Sequence, residues 1–118
     1  MARAALEAIA WRVCDIVEAI GEAIPVSRLR VDGGLTNAEA LLVIQAEALG
    51  LPVVVSPPNA TALGAAMMSG VGAGVFDSLV DAAGRLARGR VVTPQGDSST
   101  RARRREQWRA FVAAAGDL

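Results

Sequence analysis

The sequence predicts an α/β protein with a short parallel strand pair and four to five helices, and three observations lead there. Helix-type and strand-type patterns alternate along the chain in the order α-β-α-β-α-α-α. Leu51 to Val55 is a continuous apolar run rich in valine, the composition of a strand covered on both faces. Arg28 to Asp32 alternates polar and apolar residues and runs straight into Gly33-Gly34, as a short strand ending in a tight turn does. With connections this short, the two strands should lie parallel, joined by a right-handed crossover through a helix over residues 36–49.

Residues 3–22 place Leu6, Ile9, Val13, Ile16, Val17 and Ile20 at three- and four-residue steps, with Arg12, Asp15, Glu18 and Glu22 on other faces. That is an amphipathic helix, ended by Pro25. Thr36 and Glu39 stand three apart, the spacing of a capping box, so the second helix is expected to start at Thr36. It should carry Leu41, Leu42, Ala48 and Leu49 inward and stop at Gly50, a left-handed C-terminal residue. Gln45 shares that inward face, either as a satisfied core polar group or as part of a site. After Pro57-Pro58, a third helix starts near Thr61, rich in Ala and interrupted by Gly64, Gly70, Gly72 and Gly74, its small residues suited to close helix packing. Asp77 to Arg88 reads as a fourth helix, Arg90 to Pro94 as a short connector, Gln95 to Ser99 as a polar loop and Thr100 to Ala115 as a last helix. Two strands are few for a complete sheet of this class, so further strands are expected to belong to chain outside this sequence.

Composition removes several function classes. The chain has 118 residues, enough for one core, and the apolar share is 53% with only two Trp and two Phe, so the core must come from Ala, Val, Leu and Ile. All twelve basic residues are Arg and balance twelve acids. There is no His and only Cys14, which excludes a structural zinc site, a disulfide within the chain and a His-dependent hydrolase triad. Cys14 fits a buried small hydrophobe in a reducing, cytoplasmic setting. Glu7, Arg12 and Asp15 break any signal-peptide apolar region. Between Glu47 and Asp77 no residue is charged, yet Pro57-Pro58-Asn59 cuts the stretch and the remainder is mostly Gly and Ala, too short and weak for a membrane span. Arg101, Arg103, Arg104 and Arg105 read as a solvated helix face, because a neutral chain with so few aromatics does not fit a nucleic-acid partner.

The chemistry is expected at Leu29-Arg30-Val31-Asp32-Gly33-Gly34-Leu35-Thr36. A strand ending in two glycines before a helix presents bare backbone and free N–H groups, which admits a nucleotide closely and favours its phosphates. The bland alternative is that the glycines serve turn geometry alone. Gly70, Gly72 and Gly74 do not make a dinucleotide fingerprint, since they follow no strand, and a phosphate-loop lysine is excluded by the absence of Lys.

These segments together resemble the C-terminal domain of the FGGY sugar and polyol kinases, with glycerol kinases the nearest in flavour. The resemblance rests on residues 3–10, on Leu29 to Thr36, on Gln45-Ala46-Glu47-Ala48-Leu49-Gly50-Leu51-Pro52-Val53 and on Thr61-Ala62-Leu63-Gly64-Ala65-Ala66, in family order. It implies that residues 1–118 are the C-terminal part of a nucleotide-binding domain of actin-like ATPase (ribonuclease H-like) fold, with 95–118 as its terminal loop and helix. It further implies ATP and Mg²⁺ as cofactors of the full-length enzyme, and a sugar or polyol substrate held by an N-terminal domain absent here. Gly33, Gly34, Thr36, Asn37 and Ala38 would face the nucleotide, although many glycerol kinases carry Asn where this chain has Ala38. The family's phosphate loop and catalytic Asp match nothing in this sequence, so no catalytic residue or metal ligand is expected in it and the chain alone should not turn over. Two alternatives stay open: a non-catalytic remnant or interaction module, pairing with itself or a partner through an open sheet edge, and another actin-like ATPase serving a chaperone or a regulator.

Overall fold

A computed structural model describes residues 2–86 and 89–116 of the chain. Helix α1 spans Ala2–Gly21, strand β1 Leu29–Val31, a 3₁₀ turn Gly34–Asn37, α2 Glu39–Leu49, β2 Val53–Val55, α3 Ala60–Gly72, α4 Leu79–Gly84, β3 Val91–Val92 and α5 Ser98–Gly116. The α/β class and the parallel pair are as the pattern indicates: β1 runs parallel to β2 with Leu29 opposite Val53 and Val31 opposite Val55. Residues 87 and 88, the predicted end of the fourth helix, lie outside the described residues, as do Met1 and residues 117–118.

The sheet is larger than the sequence reading allowed. Val91-Val92, expected as a connector, pairs antiparallel with β2, so the strand order is β1-β2-β3 and β2 is central. The outer edge of β2 is thus filled from within the chain, which corrects the expectation that further strands belong to chain outside this sequence. The far edges of β1 and β3 face no further strand among the described residues.

Helix α2 lies between two apolar layers. On the sheet side, Leu42 and Ala46 pack with Val53, and Leu29, Val31 and Val92 close around them. On the opposite side, Ala48 meets Ala10, Trp11 and Cys14 of α1. Gln45 sits between the layers, 5% exposed, and its Nε2 donates to the Ala10 carbonyl at 3.2 Å. Of the two readings left open for Gln45, the satisfied core group holds. Gly50 ends α2 with φ 67°, the left-handed cap its position predicts. Cys14 is 2% exposed, and burial pushes its thiol up to about 11, so it packs as an inert small hydrophobe.

Helix α5 is fixed mainly by polar contacts. Arg105 donates through Nε and Nη2 to both oxygens of the Glu18 carboxylate, at 2.8 and 2.5 Å, and Nη2 also lies 2.7 Å from Asp15. The Trp108 indole N–H donates to Asp15 at 3.1 Å, and Arg109 adds a contact to Glu18 at 2.9 Å. The expected solvated arginine face is therefore corrected at Arg105, which is buried over the Trp11 ring, and at Arg101, whose Nε donates to the Glu47 carbonyl at 2.7 Å. Helices α3 and α4 form an arm with little core: α3 buries no residue and α4 only Ala82. The close packing expected of α3's glycines is confined to Gly70, where the Phe76 ring occupies the space of a Cβ. Among the described residues no helix is long and apolar enough to cross a membrane.

Candidate functional site

The turn after β1 departs from the capping-box expectation. The Thr36 hydroxyl donates back to the Gly33 carbonyl at 2.7 Å, and the Thr36 N–H reaches the same oxygen at 3.0 Å. The two bonds tighten residues 34–37 into a 3₁₀ turn, so α2 begins only at Glu39, with Ala38 at its N-cap and no side chain capping it. Glu39 does not reach back to Thr36; its carboxylate takes the Arg90 guanidinium instead. A short polar side chain hydrogen-bonding its own turn competes with helix here, and the two glycines make that turn accessible.

Gly33 has φ 98° and ψ 178°, a conformation held almost only by glycine. A Cβ on Gly34 would meet nothing within 4 Å, and the Gly34 N–H, at the start of the 3₁₀ turn, donates to no acceptor among the described residues. These groups form one wall of an open cleft of about 680 Å³. Asp32, Gly33, Gly34, Thr36 and Asn37 line it on the β1 side. Of the five residues singled out by sequence, four are thus brought together, while Ala38 is the half-buried link into α2 and does not line the cleft.

The other wall was missed by sequence reasoning. It comes from the end of β2 with Ser56, Pro57 and Asn59, and from Gly89-Arg90 entering β3. Ser56 is anchored by its N–H to the Val31 carbonyl at 2.9 Å, and Val55 N–H binds the Arg90 carbonyl at 2.8 Å. Asn59 is the one non-glycine with positive φ (60°) among the described residues, so Pro-Pro-Asn is a shaped loop, a signal available in the sequence but given no role. Among the described residues, Arg90 is the only cation on the cleft wall and Asp32 the only carboxylate. A nucleotide fits the cradle by size and by the open approach over Gly34. A metal ion is less well served: among the described residues no three carboxylate, His or Cys side chains cluster.

A second cleft, of about 620 Å³, lies between α1, α2 and α5. Most of its charged lining is committed within the chain. Arg3 pairs with Glu7, Glu47 accepts from the Gly96 N–H, and Asp97 accepts from the Ser99 hydroxyl and the Thr100 N–H, which in that order hold its carboxyl far below the usual range.

The fold is that of the actin-like ATPases of the sugar kinase type. A crystal structure of Plasmodium falciparum glycerol kinase with ADP superposes with a TM-score of 0.84 at 26% identity, covering 95% of this chain and 23% of that one. Xylulose kinase from Rhodospirillum rubrum gives 0.75 at 25% identity, covering 95% and 24%. The model of the C-terminal domain of the FGGY family of carbohydrate kinases matches residues 1–73. The chain belongs to that family. It is 42% identical over 115 residues to a glycerol kinase of Citrifermentans bemidjiense, covering 95% of this chain and 23% of the relative. To a glycerol kinase of Deinococcus radiodurans it is 34% identical over 120 residues, covering 99% and 24%. The chain spans about a quarter of the length of the curated relatives it matches.

Proposed function

We propose that the cleft beside Gly33-Gly34 is one face of a nucleotide site, and that the chain is the ATP-facing part of a carbohydrate kinase that transfers the γ-phosphoryl of ATP to a sugar or polyol hydroxyl, in the manner of a glycerol kinase. In this reading residues 1–118 are the C-terminal part of the nucleotide-binding domain, with 95–118 as its terminal loop and helix. Gly33, Gly34, Thr36 and Asn37 contact the nucleotide directly, and Ala38 sets the start of α2 behind them. The observation that carries the reading is the cradle itself: a glycine-only conformation at Gly33 and an unobstructed Gly34 on the wall of a cleft large enough for a nucleotide. The sugar or polyol meets residues outside this chain, and Mg²⁺ arrives with the nucleotide phosphates, because Asp32 is the single carboxylate on this wall among the described residues. The cytoplasm, where ATP is abundant and Cys14 stays reduced, is the compartment this reading assigns.

Phosphoryl transfer depends on positioning and on charge stabilisation from both sides of the reacting phosphate. Among the described residues this wall offers one cation and one carboxylate, so the chain by itself is expected to bind without turning over. Incubated with Mg-ATP and glycerol, xylulose, ribulose or gluconate, it should leave ADP at the level of a heat-killed control. Binding is tested by calorimetry with ATP on wild type and Gly34→Glu. A Cβ at 34 meets nothing within 4 Å, so the variant is expected to fold while its bulk and charge enter the cleft. Unchanged ATP affinity overturns the nucleotide assignment. The exposed Met68, Val75, Leu79 and Val80 of the α3–α4 arm favour a second reading, an interaction module without catalysis, which predicts no ATP binding in either protein.

A further inference from the structure

We propose that the cleft between α1, α2 and α5 is a binding site for a small organic carboxylate with an apolar body, held at its acid end by Arg104. The inference is independent of the nucleotide reading, because this cleft shares no lining residue with the one beside Gly33-Gly34. Its floor is apolar: Leu6 and Trp11 line it from α1, and Val43 and Ile44 from α2. Trp11 and Ile44 belong to the packed layer around Ala10 and Ala48, which makes that part of the floor rigid. Val43 is 44% exposed and leaves apolar surface in water for a ligand to cover. At about 620 Å³ the cleft has the size that encloses a small ligand, and such sites join a mainly apolar lining to a few polar groups that fix orientation.

The charged residues around this floor decide which end group fits. Three arginines and three acids line the cleft and cancel formally, so the choice lies in which of them still has hydrogen bonds to give. The acids are held by the chain itself. Glu7 takes Arg3 at 2.9 Å, the Glu47 carboxylate accepts the N–H groups of Gln95 and Gly96, and Asp97 accepts from the Ser99 hydroxyl and the Thr100 N–H. Arg101 lies across the end of α2, with Nε on the Glu47 carbonyl at 2.7 Å and Nη2 on the Gly96 carbonyl at 3.3 Å. Arg104, three residues further along α5 and so on the same face, is exposed and enters no ion pair among the described residues. Its planar fork of donors matches a carboxylate with two bonds at once. A ligand body lying over Val43 also excludes water from the rim, where such a charged pair then gains strength.

The test titrates the isotope-labelled chain at neutral pH with octanoate, 1-octanol and octylamine, following amide signals of Val43, Thr100 and Arg104 by NMR. Octanoate should bind more tightly than the other two, and hexanoate roughly ten-fold more weakly than octanoate, the scale of two buried methylenes. Arg104→Gln should weaken octanoate by roughly five- to ten-fold, the scale of a partly solvated hydrogen bond to a charged group, and leave 1-octanol unchanged. Val43→Glu, which sets a carboxylate in the floor, should abolish octanoate binding and weaken 1-octanol less. Both positions are exposed, and unchanged melting temperatures would confirm that the variants fold. If 1-octanol binds wild type as tightly as octanoate, or octylamine binds more tightly, Arg104 selects no acid and the proposal is wrong. It is equally overturned if octanoate moves none of these signals, or binds wild type and Arg104→Gln alike.

Discussion

The two faces of α2 are held by different physics. Toward the sheet, Leu42 and Ala46 close on Val53 with no charged group among them, and all three are at most 3% exposed. Toward α1 and α5, Trp11 and Cys14 still pack against Ala48, but the outer layer is secured by Arg105 on Glu18 and Asp15 and by the Trp108 indole on Asp15. The apolar face responds to volume, while the polar seam responds to charge, salt and pH. Four substitutions or titrations would separate them.

The largest effect is expected at Leu42→Ala, which removes buried methyl groups from the sheet-side core and should cost about 2–4 kcal/mol, read by denaturant unfolding. That loss should be the same at low and high salt. A loss that shrinks in 1 M NaCl would mean the sheet side is not the apolar anchor.

Arg105→Ala should cost less, about 1–2 kcal/mol, because its acidic partners are partly solvated and can rehydrate. Here salt decides. Wild type should lose stability in 1 M NaCl and the variant should not, since the charge seam is the screened element.

Next comes acid. Glu18 is held below its ordinary value of 4.5 first by the Arg105 hydrogen bond, against a burial cost, with Arg109 adding to it. For Asp15, burial works upward, but the bonds from Trp108 and Arg105 outweigh it and bring the group below 3.8. A carboxylate with a depressed folded pKa contributes stability that is present above its unfolded value and lost as pH falls through the folded one. The seam should therefore be intact at neutral pH and weaken below about pH 4. Unfolding monitored by tryptophan fluorescence from pH 7 to 2 should show this dependence in wild type and Leu42→Ala, and a flatter one in Arg105→Ala. The smallest effect is expected from Trp108→Phe, which keeps the ring near Phe111 and deletes the single indole bond to Asp15, for about 0.5–1 kcal/mol. A loss as large as that of Leu42→Ala would show that the seam is a second apolar core.

The same division explains what the sequence made legible. Periodic apolar spacing found α1 and the inward face of α2, a valine run found β2, and Gly50 marked the C-cap, because each is a local pattern with one dominant physical cause. The Thr36–Glu39 spacing misled because it fits two structures: the hydroxyl can bond forward to a helix or back to Gly33, and the flexible glycines let the backward bond form first. β3 escaped because two residues carry almost no periodicity and only the neighbouring β2 makes them a strand. Arg105 looked like its neighbours in a basic run, since nothing local tells a buried guanidinium from a solvated one; its partners lie 87 and more residues away. At the site, the Gly-Gly wall was readable from its backbone demands, whereas Arg90 depends on a pairing across 51 residues.

One glycine outside that wall limits how the cleft can vary. A Cβ on Gly89 would lie 1.9 Å from the carbonyl oxygen of Val55, far inside contact distance, so β3 approaches β2 this closely only because residue 89 ends in a hydrogen. Arg90 is the next residue, and its distance from Gly33-Gly34 is fixed by that approach. Any other residue at 89 would push β3 outward and widen the gap between the two walls while leaving every group on them in place. The aperture of the cleft, and not just its lining, is therefore encoded at a residue that carries no functional side chain.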